Sequence, residues 1–364
     1  MGITMHSDPL IQRVMDTWMP RFLGGGIAYY DILTALERIR TWDDWGPVWM
    51  ELAEMHEALA EEAWEQGRRI TAVQGFQRAS AYYHIAYFIY VRDQELHESG
   101  LRKMVECHER ALPYMEPAVE KVTIPFEDTH IVGLFSAPKG EGPFPVLIVL
   151  PGLDSTKETR HRARGNYLRR GLAVLSLEGP GQGEVSLRMK NRPDYEVAAS
   201  AAIDYLETRP DVDATRIGMY GMSMGGYYAP RSAAFEPRIK AVAGSCGEYD
   251  YSESFMLDSR PPVSQEAFIY YSGSKSKEEA YEYAKQFTLK GVAERITCPL
   301  LVVHGKQDPI VPWEHGKQIV DEASSEDKQF ILFEEGIHSL SNIRYKAGPL
   351  VADWLAEKLG GTII

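Results

Sequence analysis

Arg216-Ile-Gly-Met-Tyr-Gly-Met-Ser-Met-Gly-Gly226 is the stretch whose reading decides the fold. It opens with an apolar run, Arg216–Tyr220, of the kind a buried parallel strand makes, and passes into Gly225–Phe235, which reads as a helix. Between them, Gly221-Met222-Ser223-Met224-Gly225 places glycines around a serine at a tight turn. A backbone strained enough to present a serine at a strand tip leaves little room for neighbouring Cβ atoms. Gly-x-Ser-x-Gly is common by chance, and alone it reads equally as a turn of small residues. The strand before it and the helix after it give it a mechanism, with Ser223 as a nucleophile.

The surrounding sequence repeats the same rhythm. Val119–Phe126 and Ile131–Ala137 alternate like a meander at a sheet edge, while Pro145–Leu150 and Leu172–Leu177 are continuous apolar runs suited to central strands. Thr156–Arg170 and Tyr195–Glu207 read as intervening helices, and Ile239–Gly244, Pro299–His304 and Gln329–Phe333 as further strands. Ala347–Leu359 closes the chain as an amphipathic helix. Strands alternating with helices imply a mostly parallel sheet covered on both faces.

A serine hydroxyl needs a base, an acid that orients the base, and donors for an oxyanion. This architecture orders them serine, acid, histidine, each at the carboxyl end of a strand. Asp308 follows the strand Pro299–His304 and His338 follows Gln329–Phe333, so these two complete the set. Asp308 could instead cap its own turn, His338 could be a surface histidine, and Asp250 is a rival acid. The Met224 amide and one from the loop Leu150-Pro151-Gly152-Leu153-Asp154-Ser155 are the oxyanion donors, with Leu153 preferred because Gly152 lets the backbone approach. Asp154 and Ser155 read as N-caps of the helix that follows.

Before residue 118 the texture is different. Leu10, Val14, Trp18 and Phe22 recur at helical spacing, Trp49–Gly67 ends at a glycine suited to a C-cap, and Thr71–Val91 and Glu95–Tyr114 read as two more helices. Residues 1–117 are therefore expected to form an all-helical cap, and residues 118–364 the α/β domain, with a second cap insertion at 248–293. The aromatic cluster Tyr82, Tyr83, Tyr87, Phe88 and Tyr90 suits helix packing. Tyr83 and His84, together with Tyr227 and Glu248, are the substrate-contact candidates, since a cap must touch substrate somewhere.

Composition excludes several classes. Hydrophobic residues make up 44% of the 364, charged residues 25%, and the formal charge is −13. An acidic chain repels phosphate backbones and anionic lipids, so a small molecule is the expected partner rather than nucleic acid or membrane. Cys107, Cys246 and Cys298 lie far apart, and His56, His84, His97 and His108 form no His-Glu-x-x-His pattern, so no metal is expected. Gly179-Pro180-Gly181-Gln182-Gly183 follows a strand but lacks the glycine spacing of a dinucleotide fingerprint and the lysine of a P-loop, so no cofactor is expected either. No apolar run approaches the ~20 residues of a spanning helix. With no secretory leader visible, the expected location is cytoplasmic.

These motifs resemble those of the α/β-hydrolases related to 2,6-dihydroxypseudooxynicotine hydrolase and the FrsA-like esterases. The resemblance rests on Trp42, Trp45 and Trp49, on Gly152-Leu153-Asp154-Ser155, on Glu178-Gly-Pro-Gly-Gln-Gly, and above all on Ser223-Met-Gly-Gly-Tyr-Tyr-Ala-Pro-Arg-Ser-Ala-Ala-Phe-Glu-Pro-Arg. It implies an α/β-hydrolase fold with a helical cap, a Ser–Asp–His triad falling on Ser223, Asp308 and His338, and a homodimer. It also implies either ester hydrolysis or cleavage of a carbon–carbon bond beside a ketone, the latter with an acidic residue after the sixth strand. Glu248, Asp250 and Asp258 are all near that place. Two other readings differ in class: a prolyl-oligopeptidase-type peptidase, whose usual β-propeller is at odds with the helical N-terminal region, and a non-catalytic regulatory protein on the same fold.

Overall fold

In the helical region Asp8 accepts the amides of Leu10 and Ile11 at 2.9 and 3.1 Å, and Pro9 opens the first helix where no intrahelical N–H is needed. Five helices follow in order: α1 Pro9–Gly24, α2 Tyr29–Arg38, α3 Trp45–Glu65, α4 Arg69–Tyr87 and α5 Gln94–Ala111. The computed structural model describes residues 4–362, which divide into two compact units. One comprises residues 4–118 with Pro261–Ala267, the other Val119–Arg260 with 268–362.

Helix α3 begins at Trp45 rather than Trp49, because Pro47 falls in the first turn and breaks no hydrogen bond there. It ends as expected, with Gly67 at φ 74° and Arg68 N–H closing onto Ala63 O at 2.8 Å. Helix α4 stops at Tyr87, short of Val91, since Phe88 turns to ψ 119° and Ile89 follows at φ 49°, neither of which continues a right-handed helix. The helical core is aromatic. Phe88 meets Trp18 and Phe22 edge-on at 5.4 and 5.8 Å, Trp42 stacks on Trp45 at 5.1 Å, and the buried Trp45 Nε1–H donates to Ile85 O at 3.0 Å. Helices α3 and α4 pack tightly at Gly75, where a Cβ would stand 2.7 Å from that of Ala60.

The second unit is built on one sheet. Its elements run β1 Glu120–Phe126, β2 Thr129–Ser136, β3 Phe144–Leu150, α6 Lys157–His161, α7 Gly165–Leu168, β4 Ala173–Glu178, α8 Glu196–Glu207, β5 Val212–Met222, α9 Met224–Phe235 and β6 Ile239–Ser245. Then come α10 Tyr251–Phe255, α11 Pro262–Ser272 (of which the residues up to Ala267 belong to the first unit), α12 Lys277–Ala284, β7 Leu300–Gly305, α13 Trp313–Glu322, β8 Lys328–Phe333 and α14 Arg344–Leu359. The single helix expected over 156–170 is two short ones. Amides of Ala163 and Arg164 bond back three residues, to Arg160 and His161, and this tighter turn ends α6 before Gly165 starts α7.

The strand order is β1-β2-β4-β3-β5-β6-β7-β8, antiparallel at β1, β2 and β4 and parallel from β4 onward. This is the α/β-hydrolase sheet. Strands β4 and β7 are buried at every residue, as a sheet covered on both faces requires. Ala241, Ala243, Leu301 and Val303 face a core shared with Tyr167 and Leu168 of α7 and with Val351, Leu355 and Leu359 of α14. Val302 alternates to the opposite face, where α13 meets it at Gly316. Among the described residues no helix is long and apolar enough to cross a membrane.

Gly75→Val should drive its branched side chain into Ala60 and destabilise the helical unit by about 1–3 kcal/mol. Trp18, Trp42, Trp45, Trp49 and Trp64 all lie in that unit, so a urea titration followed by tryptophan fluorescence reads the change as a lowered midpoint.

Candidate active site

The turn out of β5 is strained and held from two sides. Ser223 adopts φ 56° and ψ −127°, a region sparsely populated by residues other than glycine. Its amide donates to Ser245 O of the neighbouring β6 at 2.8 Å, and its carbonyl accepts from Gly226 N–H at 2.6 Å. A Cβ on Gly221 would lie 1.8 Å from Gly225 O, and one on Gly225 would lie 2.7 Å from Pro151 O. Any side chain at either position would unmake the turn.

Two loops from later strands complete a hydrogen-bonded chain. His338 Nε2 lies 2.9 Å from Ser223 Oγ, and His338 Nδ1 lies 2.8 Å from Asp308 Oδ2. The carboxylate acceptor places the imidazole proton on Nδ1 and leaves the Nε2 lone pair facing the serine O–H. Asp308 Oδ1 accepts the amides of Ile310 and Val311 at 2.8 and 3.0 Å, so the turn role and the histidine contact are both filled by this one residue. Burial pulls the His338 pKa down, but the Asp308 carboxylate outweighs it and leaves the imidazole above its ordinary 6.5. Burial likewise pushes Asp308 up, and His338 and His304 more than reverse it, holding the carboxyl well below its usual range.

Strain gathers around this chain. Among the described residues six non-glycines have positive φ, and Ser223, Cys246, Ser339 and Leu340 are four of them. Ser339 and Leu340 follow His338 directly, and Cys246 Sγ comes within 4.8 Å of the Asp308 carboxylate.

Strands β3 and β5 pair with Leu150 opposite Gly221, which brings the loop after β3 beside the serine turn. Met224 is the first residue of α9, so its amide has no acceptor within the helix. Leu153 is buried on the facing loop. Asp154 and Ser155 are not the N-caps expected of them. Thr156 caps α6 by accepting Thr159 N–H, while Ser155 Oγ accepts Gly152 N–H at 2.9 Å. The spacing of Ser and Thr in this loop left the choice between them to tertiary packing.

The remaining candidates separate cleanly. Glu248 is buried, and its pKa is raised by burial against the pull of Arg260 and His338. Its Oε1 accepts from Arg260 Nη2 at 3.1 Å, while Oε2 has no partner among the described residues. The same guanidinium donates to Tyr251 Oη at 2.7 Å and Ser254 Oγ at 3.3 Å. The rival acid Asp250 caps α10 through Ser252 N–H, at 3.0 Å, and it is Asp308 that meets His338. Asp258 is exposed between α10 and α11. Tyr227 is buried in α9 and donates to Pro193 O at 3.0 Å. Tyr83 donates to Glu57 inside the helical unit, and His84 packs its ring against Tyr87 and Phe88 at 5.3 and 5.5 Å.

Two residues escaped the sequence reading. His304 Nε2 stands 3.6 Å from Asp308 Oδ2 and bonds Val311 O at 3.1 Å. Its place at the end of β7, four residues before Asp308, was the available signal. Arg260 had none, since its partner Glu248 lies twelve residues away across a loop and a helix. Cys246, His304 and Asp308 are the one group of potential metal ligands that converge among the described residues. His304 and Asp308 already hold hydrogen bonds there, and burial keeps the Cys246 thiol protonated.

Comparison with known proteins gives a consistent picture. The family described as esterase FrsA-like matches residues 39–360. The chain is 30% identical over 344 residues to 2,6-dihydropseudooxynicotine hydrolase of Paenarthrobacter nicotinovorans, covering 93% of this chain and 91% of that protein. The crystal structure of the 2,6-dihydroxy-pseudo-oxynicotine hydrolase matches with a TM-score of 0.85 at 29% identity, over 95% of this chain and 97% of that one. The alpha/beta hydrolase xenA of Xenoacremonium sinensis is 35% identical over 248 residues, 63% of this chain and 58% of that protein.

The electrostatics can be tested without any substrate. In an NMR pH titration the His338 imidazole should titrate above 6.5 in the wild type. In Asp308→Asn the strongest upward pull is gone, burial is opposed only by the more weakly acting Glu248 and Asp154, and the midpoint should fall below that of the wild type. An unchanged midpoint would mean that Asp308 is not what holds the proton on His338.

Proposed function

The chain belongs to the FrsA-like esterase family of α/β-hydrolases, and from that premise we propose that it is a serine hydrolase acting through an acyl-enzyme on a small aromatic or acyl substrate. The observation that carries this reading is the unbroken Ser223–His338–Asp308 hydrogen-bond chain. His338 Nε2 takes the proton from Ser223 Oγ as the oxygen bonds to a carbonyl carbon. Asp308 stabilises the imidazolium that forms. The Met224 and Leu153 amides receive the oxyanion, each worth about 3–4 kcal/mol of barrier. Collapse of the tetrahedral intermediate expels the leaving group, and water activated by His338 then releases the acid.

A second reading concerns the bond. With an ester the leaving group is an alcohol protonated by His338. With a ketone the electron pair of the broken carbon–carbon bond stays on carbon, as an enolate or carbanion that needs a proton. Glu248 favours the ketone: it is buried, raised in pKa, has a partnerless Oε2 and lies within electrostatic reach of His338. A raised pKa favours the protonated carboxyl, the form a general acid needs. The helical unit is proposed as the cap that selects the substrate. The three unpaired thiols, Cys107, Cys246 and Cys298, support a cytoplasmic setting.

Ser223→Ala should lower kcat toward p-nitrophenyl acetate and butyrate by about 10⁴-fold or more and abolish labelling by a fluorophosphonate. Wild-type protein that neither turns over an acyl ester nor takes the label at Ser223 sinks the serine-hydrolase reading. For the bond type, Glu248→Gln should cost about 10²-fold in kcat on an aryl β-diketone and leave ester turnover nearly intact. Equal losses on both substrates would remove the proton-donor role.

A further inference from the structure

The turn Gly179-Pro180-Gly181-Gln182-Gly183 after β4 lacks the pattern of a phosphate loop, and the triad makes no use of it. Its one long polar side chain is nevertheless buried, with Gln182 only 1% exposed. Gln182 Oε1 accepts two donors, the Gly179 amide at 3.0 Å and the Tyr195 hydroxyl at 2.8 Å. Those donors fix which end of the amide is oxygen, so the NH₂ faces the other way. Gln182 Nε2 donates to Pro151 O at 2.7 Å.

That carbonyl belongs to the loop that carries Leu153. The peptide joining Pro151 to Gly152 is planar, with its C=O and N–H pointing in opposite directions. Gln182 holds the carbonyl end and Ser155 Oγ holds the amide end, at 2.7 and 2.9 Å. One peptide plane is thus pinned at both edges, immediately before the peptide that bears the Leu153 N–H. The frame extends to the other donor. Tyr195, which orients Gln182, stacks on Tyr228 of α9 at 4.2 Å, and α9 begins with Met224. Pro151 O also lies close against Gly225, where a Cβ would come within 2.7 Å.

We propose that Gln182, oriented by Tyr195, is a positioning residue that aims the Leu153 amide at the oxyanion by clamping the Pro151 carbonyl. The proposal rests on the serine-hydrolase reading above. Without Gln182 the buried Pro151 carbonyl loses its donor and the plane is free to turn. The Leu153 N–H then points away from the oxygen only where negative charge develops, so the loss falls on the transition state and not on substrate binding.

The test compares wild type with Gln182→Met, which keeps the length and removes the donor, and with Tyr195→Phe, which removes one of two groups holding the amide. The readouts are kcat and KM on p-nitrophenyl butyrate, and Ki for an aryl trifluoromethyl ketone, whose adduct with Ser223 places an oxyanion between the two amides. Gln182→Met should lose about 10- to 100-fold in kcat, less than outright removal of a donor. The ketone Ki should weaken by a similar factor, with KM nearly constant, and Tyr195→Phe should show a smaller parallel loss. If kcat and Ki stay at wild-type values while only the melting temperature falls, Gln182 is structural filler and the proposal is overturned. If Gln182→Met does not fold, Tyr195→Phe decides by the same criterion. Wild type that is inert toward every ester and takes no fluorophosphonate label at Ser223 overturns the serine-hydrolase reading itself, a result distinct from an active wild type with indifferent variants.

Discussion

Strands β3 and β5 run parallel with Leu150 opposite Gly221, so the chain leaving β3 and the chain leaving β5 emerge side by side at one edge of the sheet. The sheet order turns there, with β4 on the far side of β3 and β6 on the far side of β5. Such switch points leave a crevice at the carboxyl ends of the strands. Here the crevice holds Ser223 on one lip and Gly152-Leu153 on the other. The close packing of Gly225 against Pro151 O makes the two lips a single rigid piece. Asp308 and His338 reach it from β7 and β8, two and three strands beyond β5, because the same parallel register delivers their loops to the same edge.

Burial does the rest of the chemistry. Isolated, a buried carboxyl would rise in pKa and a buried imidazole would fall, each toward its neutral form. Placed 2.8 Å apart, Asp308 and His338 reverse both tendencies. Glu248 stands in the same low-dielectric region with one oxygen bound by Arg260 and the other free, and burial wins there because a single guanidinium is shared among Glu248, Tyr251 and Ser254. Two carboxyls near one histidine are therefore driven in opposite directions by their partners. Such a division sorts an orienting group from a group able to give a proton.

Legibility in the sequence followed the range of the interaction involved. The elbow at Ser223 could be read because strand, glycine spacing and helix lie within a dozen residues, and Asp308 and His338 because each ends an apolar run. Thr156 reads in the sequence as the first residue of its helix, with Asp154 and Ser155 as the caps, whereas three adjacent residues can all cap and only the path of the loop selects one. The early end of α4 at Tyr87 was hidden because nothing in an aromatic run betrays the left-handed Ile89. Arg260 and Gln182 were invisible for a related reason: their partners are remote in the chain, and neither residue type is diagnostic of its role.

The sequence by itself determined the class of sheet, the order of Ser223, Asp308 and His338, and the strand tip from which each would project. Those properties follow from hydrophobic periodicity and from glycines that no other residue can replace. Only the tertiary structure decided which of Asp250 and Asp308 meets His338, which oxygen of Glu248 is left free, and which side chain clamps the loop that bears Leu153. A hydrogen bond between residues thirty-one positions apart, as from Gln182 to Pro151, has no periodic signature. It exists because β3 and β4, joined in the chain through α6 and α7, lie side by side in the sheet and bring the loops that follow them together.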